Sequence, residues 1–114
     1  MAHYRKHISD RWFCHVVSGA KCIEGRLNRG DFAAMRPGDK VTWINDEGDE
    51  VRTVILRKDT YQGFRDYLEA KGLERCLPGI TSIDAGLQVY YDFYSPTAEE
   101  TYGVVAISLG LLTD

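Results

Sequence analysis

Gly19-Ala20-Lys21-Cys22-Ile23-Glu24-Gly25-Arg26-Leu27 is the stretch around which the rest of the chain organises itself. It lies where a helix hands over to a strand, with Gly19 as the left-handed stop and an alternating pattern from Cys22 onward. Ile23 and Leu27 point one way and Cys22, Glu24 and Arg26 the other, so one face is apolar and the other carries chemistry. Two residues along a strand span about 7 Å, which sets Glu24 and Arg26 side by side, with Lys21 at the turn before them. On a curled sheet that face looks into a cleft. An unpaired charge is costly there, so the three groups must pair with one another or with a ligand. A buried structural network and a ligand site meet that requirement equally well.

Upstream, Tyr4 to Ile8 alternates as a short first strand, and Ser9 or Asp10 caps a helix carrying Trp12, Phe13, Val16 and Val17 on one side. Downstream, Arg29 to Gly38 reads as a connection that tucks Phe32 and Met35 under the body, closed by the Pro37-Gly38-Asp39 turn. Lys40 to Asn45 and Val51 to Arg57 form a hairpin across the polar loop Asp46 to Asp49. Asp59 or Thr60 caps a helix with Tyr61, Phe64 and Leu68 at helical intervals, ended by Gly72, and Leu73 to Gly79 reads as a linker. A last helix starts near Ser82, where Thr81-x-x-Asp84 outlines a capping box, and carries Ile83, Leu87, Tyr90, Tyr91 and Tyr94 until Pro96 stops it. Tyr102 to Leu109 is apolar on both faces and belongs in the middle of the sheet. The order predicts an α+β domain around a curved or barrel-like sheet.

Composition is that of an ordinary globular domain: 114 residues, 44% hydrophobic and 27% charged, with seven Tyr, four Phe and two Trp for the core. The apolar run Val104 to Leu112 is far short of the roughly 20 residues that cross a bilayer, so no membrane span is expected. Met1 to Ser9 lacks the apolar stretch of a signal peptide, which points to the cytoplasm. Cys14, Cys22 and Cys76 are an odd number without a C-x-x-C pair, as for reduced thiols rather than a disulfide framework. His3, His7 and His15 have no second ligand pair at zinc spacing, so neither a metal nor a cofactor is expected.

The formal net charge of −3 argues against a protein that simply coats nucleic acid, but the charge is divided. Residues 1–37 hold seven basic against three acidic residues, a balance of +4, and the remainder holds seven against fourteen, a balance of −7. A basic segment on an acidic body can turn one positive face to a phosphate-bearing partner; dispersed, solvated surface charge is the plainer account.

Gly19-x-Lys21-x-x-Glu24-Gly25-Arg26-Leu27, Pro37-Gly38-Asp39, Gly72-Leu73 with Leu77-Pro78-Gly79, Tyr90-x-x-Phe93-Tyr94 and Tyr102-Gly103-Val104-Val105-Ala106-Ile107 follow one another along nearly the whole chain. In these five motifs the sequence resembles the ASCH family, a branch of the PUA-like superfamily. The resemblance implies a single domain over residues 1–114: a PUA-like curved β-barrel of about five or six strands flanked by three short helices. Its cleft would be lined by the Lys21, Glu24 and Arg26 segment.

The resemblance also implies RNA or nucleotide binding in RNA metabolism; a monomer is expected, though nothing in the sequence fixes the oligomeric state. In that role Lys21, Arg26 and Arg5 or Lys6 would meet phosphate, and Tyr90 or Tyr94 would offer a ring to a base. A tyrosine stripe at helical spacing also fits a core with its hydroxyls at the rim. The alternative is a small hydrolase, a ribonuclease or an amidohydrolase acting on acylated cytidine nucleosides. Lys21 would then be the base, with Glu24 in proton transfer and Arg26 on developing negative charge. In the branch that deacylates acetylated cytidine nucleosides a threonine resembling a nucleophile stands at the Glu24 position, so covalent transfer by that route finds no hydroxyl here. Cys22 is a formal substitute without an adjacent His.

Overall fold

A computed structural model describes residues 1–113. The elements run β1 (His3–His7), α1 (Asp10–Ser18), β2 (Ile23–Leu27), α2 (Gly30–Ala34), β3 (Lys40–Ile44), β4 (Glu50–Tyr61), α3 (Phe64–Lys71), α4 (Leu73–Cys76), α5 (Ile83–Tyr91), α6 (Pro96–Tyr102) and β5 (Val104–Leu111). The strands form one sheet in the order β1-β3-β4-β5-β2, with β1 parallel to β3 and every other pair antiparallel. The sheet curls into a half-barrel whose edges are β1 and β2. The α+β class and the curved sheet are as expected.

Curvature comes from β4. Its first half pairs with β3 from Glu50 to Val54, and the strand then continues along β5 to the Tyr61–Val104 pair. The β5 register slips between Ile55 and Arg57, leaving Leu56 as an extra residue that projects to solvent. Such a bulge bends a strand and increases its twist, here in the middle of the longest strand. β5 lies inside the sheet between β4 and β2, and Val104, Val105, Ala106 and Ile107 are all fully buried, as their two-sided apolar pattern requires.

Several segments depart from the sequence reading. Asp59 to Tyr61 does not open a helix, because Thr60 and Tyr61 go on pairing with Val105 and Val104. α3 starts at Phe64, whose N–H donates to Glu99 Oε2 at 2.7 Å, a cap supplied from α6. Pro96 opens α6 rather than only ending what precedes it, with the Ser95 hydroxyl accepting from the Ala98 N–H. The stretches read as connections fold into the single turns α2 and α4, and Ser82, not Thr81, caps α5 by accepting from the Ala85 N–H. The final strand begins at Val104, because Gly103 takes φ +71 and ψ −171, a conformation reserved for glycine.

The core fills the concave side with Ile23, Leu27, Trp43, Ile55, Phe64, Tyr67 and Leu68. Gly25 is fixed by it, since a Cβ there would stand 2.4 Å from the Tyr67 ring, which is itself fully buried. Gly25→Ala is therefore expected to destabilise the domain by about 1–3 kcal/mol through overpacking. A urea titration reads this directly, and an unchanged midpoint would show that Tyr67 can move aside.

Candidate functional site

Lys21 reaches its place because α1 ends in a left-handed turn at Gly19 and the Lys21 N–H returns to the His15 carbonyl. The side chain is 1% exposed. Its ammonium donates to the Ile23 carbonyl at 2.9 Å and to the Cys76 carbonyl, and stands 3.6 Å from Glu24 Oε1. A lysine carries three N–H donors, and here two carbonyls and a carboxylate surround them. Cys76 is the last residue of α4, so Lys21 satisfies a carbonyl that the helix end leaves without a partner. The Cys22 N–H does the same for the Arg75 carbonyl at 3.1 Å.

Glu24 is buried between two cations. Oε1 faces Lys21 and accepts from the Gly25 N–H at 3.1 Å, while Oε2 lies 3.5 Å from the Arg26 guanidinium. Arg26 keeps 23% of its side chain exposed and donates to the His7 carbonyl at 3.0 Å, joining the two edge strands of the half-barrel. Its guanidinium also rests 4.9 Å from the centre of the Phe32 ring and 5.6 Å from that of Trp43. Every buried side-chain polar atom among the described residues has a partner.

These groups line one side of a cleft of about 240 Å³. Trp12, Leu77, Val89, Tyr90, Phe93 and Tyr94 form much of the rest of its wall, and His7 to Ser9 its rim. Tyr90 and Tyr94 come to the cleft from α5 and the turn after it, but both stack on Phe64, at 4.3 and 5.6 Å between ring centres. The Tyr90 hydroxyl pairs with that of Tyr67 at 3.1 Å. Burial, with the Glu24 carboxylate second, pushes the Tyr90 phenol well above its ordinary pKa. Burial and the Tyr90 hydroxyl do the same to Tyr67, and burial raises Tyr94 against the opposing Arg26 guanidinium.

The structure thus brings Lys21, Glu24, Arg26, Tyr90 and Tyr94 together and leaves Arg5 and Lys6 outside. Arg5 pairs with Glu50 at 2.8 Å, and Lys6 with Asp31 at 2.6 Å over the Phe32 ring. Cys22 does not share the face of Glu24 and Arg26. Its N–H goes to the Arg75 carbonyl, and Cys22 lines a separate small cavity with Val16 and Leu109, not the cleft of Glu24 and Arg26. Two further groups, one in the cleft and one behind its wall, were given no role by the sequence reading. Arg11 does not line the cleft, but it stands 4.5 Å over the ring of Trp12, which does, and has no acidic partner among the described residues. Phe93 is 73% exposed at the mouth. Neither falls on a strand repeat: Phe93 stood in the sequence only as a member of the Tyr90-x-x-Phe93-Tyr94 motif, and Arg11 only as one charge of the basic segment, with no role attached to either.

The chain matches the ASCH domain over residues 7–113 and belongs to that family. No match is found among curated proteins. The crystal structure of the hypothetical protein PH0355 is similar at 32% identity and TM-score 0.89, covering 96% of this chain and 99% of that one. The solution NMR structure of protein PF0455 from Pyrococcus furiosus is similar at 33% identity and TM-score 0.79, covering 98% and 99%. Among the described residues no helix is long and apolar enough to cross a membrane.

Lys21→Met strands a buried carboxylate and two carbonyls, and the expected loss is about 3–5 kcal/mol of unfolding free energy. Adding Glu24→Gln should restore part of it, and strict additivity in a double-mutant cycle would show that the two do not interact. The tyrosines give a second expectation. With Tyr67 and Tyr90 holding their protons in the folded chain, stability is complete below the unfolded-state tyrosine pKa near 10. Above that pH it should fall by up to about 1.4 kcal/mol per pH unit for each group, since only the unfolded chain ionises. Unfolding curves from pH 8 to 11 would show it, and a flat profile would contradict the burial of the pair.

Proposed function

Starting from membership of the ASCH family, we propose that the chain binds RNA by seating one nucleotide in the cleft between Arg26 and the aromatic wall, in the service of RNA metabolism. The observation that carries this reading is the Glu24–Arg26 pair at 3.5 Å, an acceptor and a donor side by side on an otherwise largely apolar cleft. A nucleobase edge presents the complementary arrangement, donors and acceptors next to one another on a flat apolar ring. Size supports the same conclusion. A volume of about 240 Å³ equals about eight water molecules and falls below the range of pockets that enclose drug-sized ligands, so it suits one base, not a folded segment.

The roles divide accordingly. Lys21 holds Glu24 and α4 in place, Glu24 accepts from the base, and Arg26 donates to it. Arg11, unpaired and resting on Trp12, is the cation best placed for a phosphate at the rim. Arg5 and Lys6, each tied to a surface carboxylate, add positive field rather than contact. Tyr90 and Tyr94 form the wall through their stack on Phe64.

The hydrolytic alternative asks Lys21 to act as a base. A lysine whose three N–H groups face two carbonyls and a carboxylate has no lone pair to offer; to serve as a base it must first lose a proton that these acceptors hold in place, and this geometry favours binding over catalysis.

A fluorescence titration with short single-stranded RNA at two salt concentrations is the test. Binding should weaken with salt, and Arg11→Glu should reduce the salt slope by about 0.7, the contribution of one phosphate contact to a single strand. Arg26→Ala should cost about 1.5–3 kcal/mol of affinity, the worth of a hydrogen bond from a charged group, with Arg26→Lys between the two. No binding at low salt would remove the reading. Acetylated cytidine and single-stranded RNA left unaltered by the protein would agree with it, whereas turnover abolished by Lys21→Ala would reinstate catalysis.

A further inference from the structure

Resting on that reading, we propose that Phe93 is the stacking platform for a second base, so that the ligand is a strand of at least two nucleotides rather than a free nucleotide. Phe93 lines the cleft mouth in the turn between α5 and α6, yet 73% of it is open to solvent. A single base inside the cleft could touch only the minor part of the ring that faces inward. The larger part is open to a group bound at the rim.

Among the aromatics at the cleft, Phe93 differs in what its ring is doing. Tyr90 and Tyr94 spend a ring face on Phe64, and Trp12 carries the Arg11 guanidinium. Phe93 makes no ring or cation contact with any described residue. An exposed aromatic ring beside a cleft that carries a charged pair is an arrangement that single-strand binders use, because every base has a π-face and stacking needs no particular sequence. Charge fits the same occupant. Arg26 in the cleft, and Arg11, which rests on the ring of the cleft residue Trp12 and has no acidic partner among the described residues, bring positive charge near the cleft, as a phosphodiester between a cleft base and a rim base would require.

The experiment compares nucleoside methylphosphates with the dinucleoside monophosphates built from the same nucleoside, by calorimetry on the whole chain. Both are phosphodiesters with a single negative charge, so the difference between them reads the second nucleoside rather than a second phosphate ionisation. The dinucleotide should bind tighter by about 5- to 150-fold, the range expected of one base stacked on an aromatic ring. Phe93→Ala should erase that advantage, weakening the dinucleotide by more than the mononucleotide, and Phe93→Trp should keep it. The ring is exposed, so these substitutions leave the fold intact, and an unchanged unfolding midpoint verifies this. Equal affinity of the two ligands for the unsubstituted chain would overturn the inference and leave the one-nucleotide cleft standing. An advantage that survives in Phe93→Ala, or a Phe93→Ala loss equal for both ligands, would also overturn it. Failure of every ligand to bind would instead bring down the nucleotide-binding reading, and this inference with it.

Discussion

An ammonium group sealed from water must be surrounded by oxygen, and in this domain that single demand decides how the parts meet. Lys21 has the Ile23 carbonyl in its own strand, the Cys76 carbonyl at the end of a helical turn 55 residues away, and the Glu24 carboxylate. Meeting it fixes the start of β2 against α4. It also leaves Glu24 with one oxygen directed at Lys21 and the other at Arg26, so the acid at the cleft has its orientation set from behind. Breaking such a pair costs far more than its formation returns, which makes the arrangement a constraint on shape more than a reservoir of stability.

The aromatic residues show the same economy in apolar form. Phe64 receives Tyr90 and Tyr94 in stacked geometry and the edges of Tyr67 and Tyr91, joining α3 to α5 and the turn beyond it. Offset and edge-on contacts of this kind add about 0.5–1.5 kcal/mol each beyond the area they bury. One wall of the cleft is therefore stiff, while the opposite side carries the charged pair.

How far the sequence alone revealed this follows from the range of the forces involved. The strand alternation that pairs Glu24 with Arg26 is local, so their neighbourhood was readable, as were the central position of β5 and the helix stop at Gly19. Whatever depended on a distant partner was not. No local pattern announces that Glu99 will cap α3, and so the strand β4 overran the expected helix start. The single turns α2 and α4 are held by contacts to Lys58 and Lys21, which lie far along the chain. Arg5 and Lys6 looked available because their charges count equally in a sum, whereas Glu50 and Asp31 had already claimed them. The pair that sequence reading passed over, Arg11 and Phe93, is conspicuous only once their neighbours can be seen.

The two margins of the half-barrel meet through the Arg26 side chain reaching the His7 carbonyl, with no ladder of backbone bonds across that line. The rim is accordingly closed by a latch with rotatable joints. β1 stays fixed by its ladder to β3 whatever the guanidinium does, so the seam between the two margins rests on one side chain that also faces the cleft, and a group bound there competes with the His7 carbonyl for the same donors.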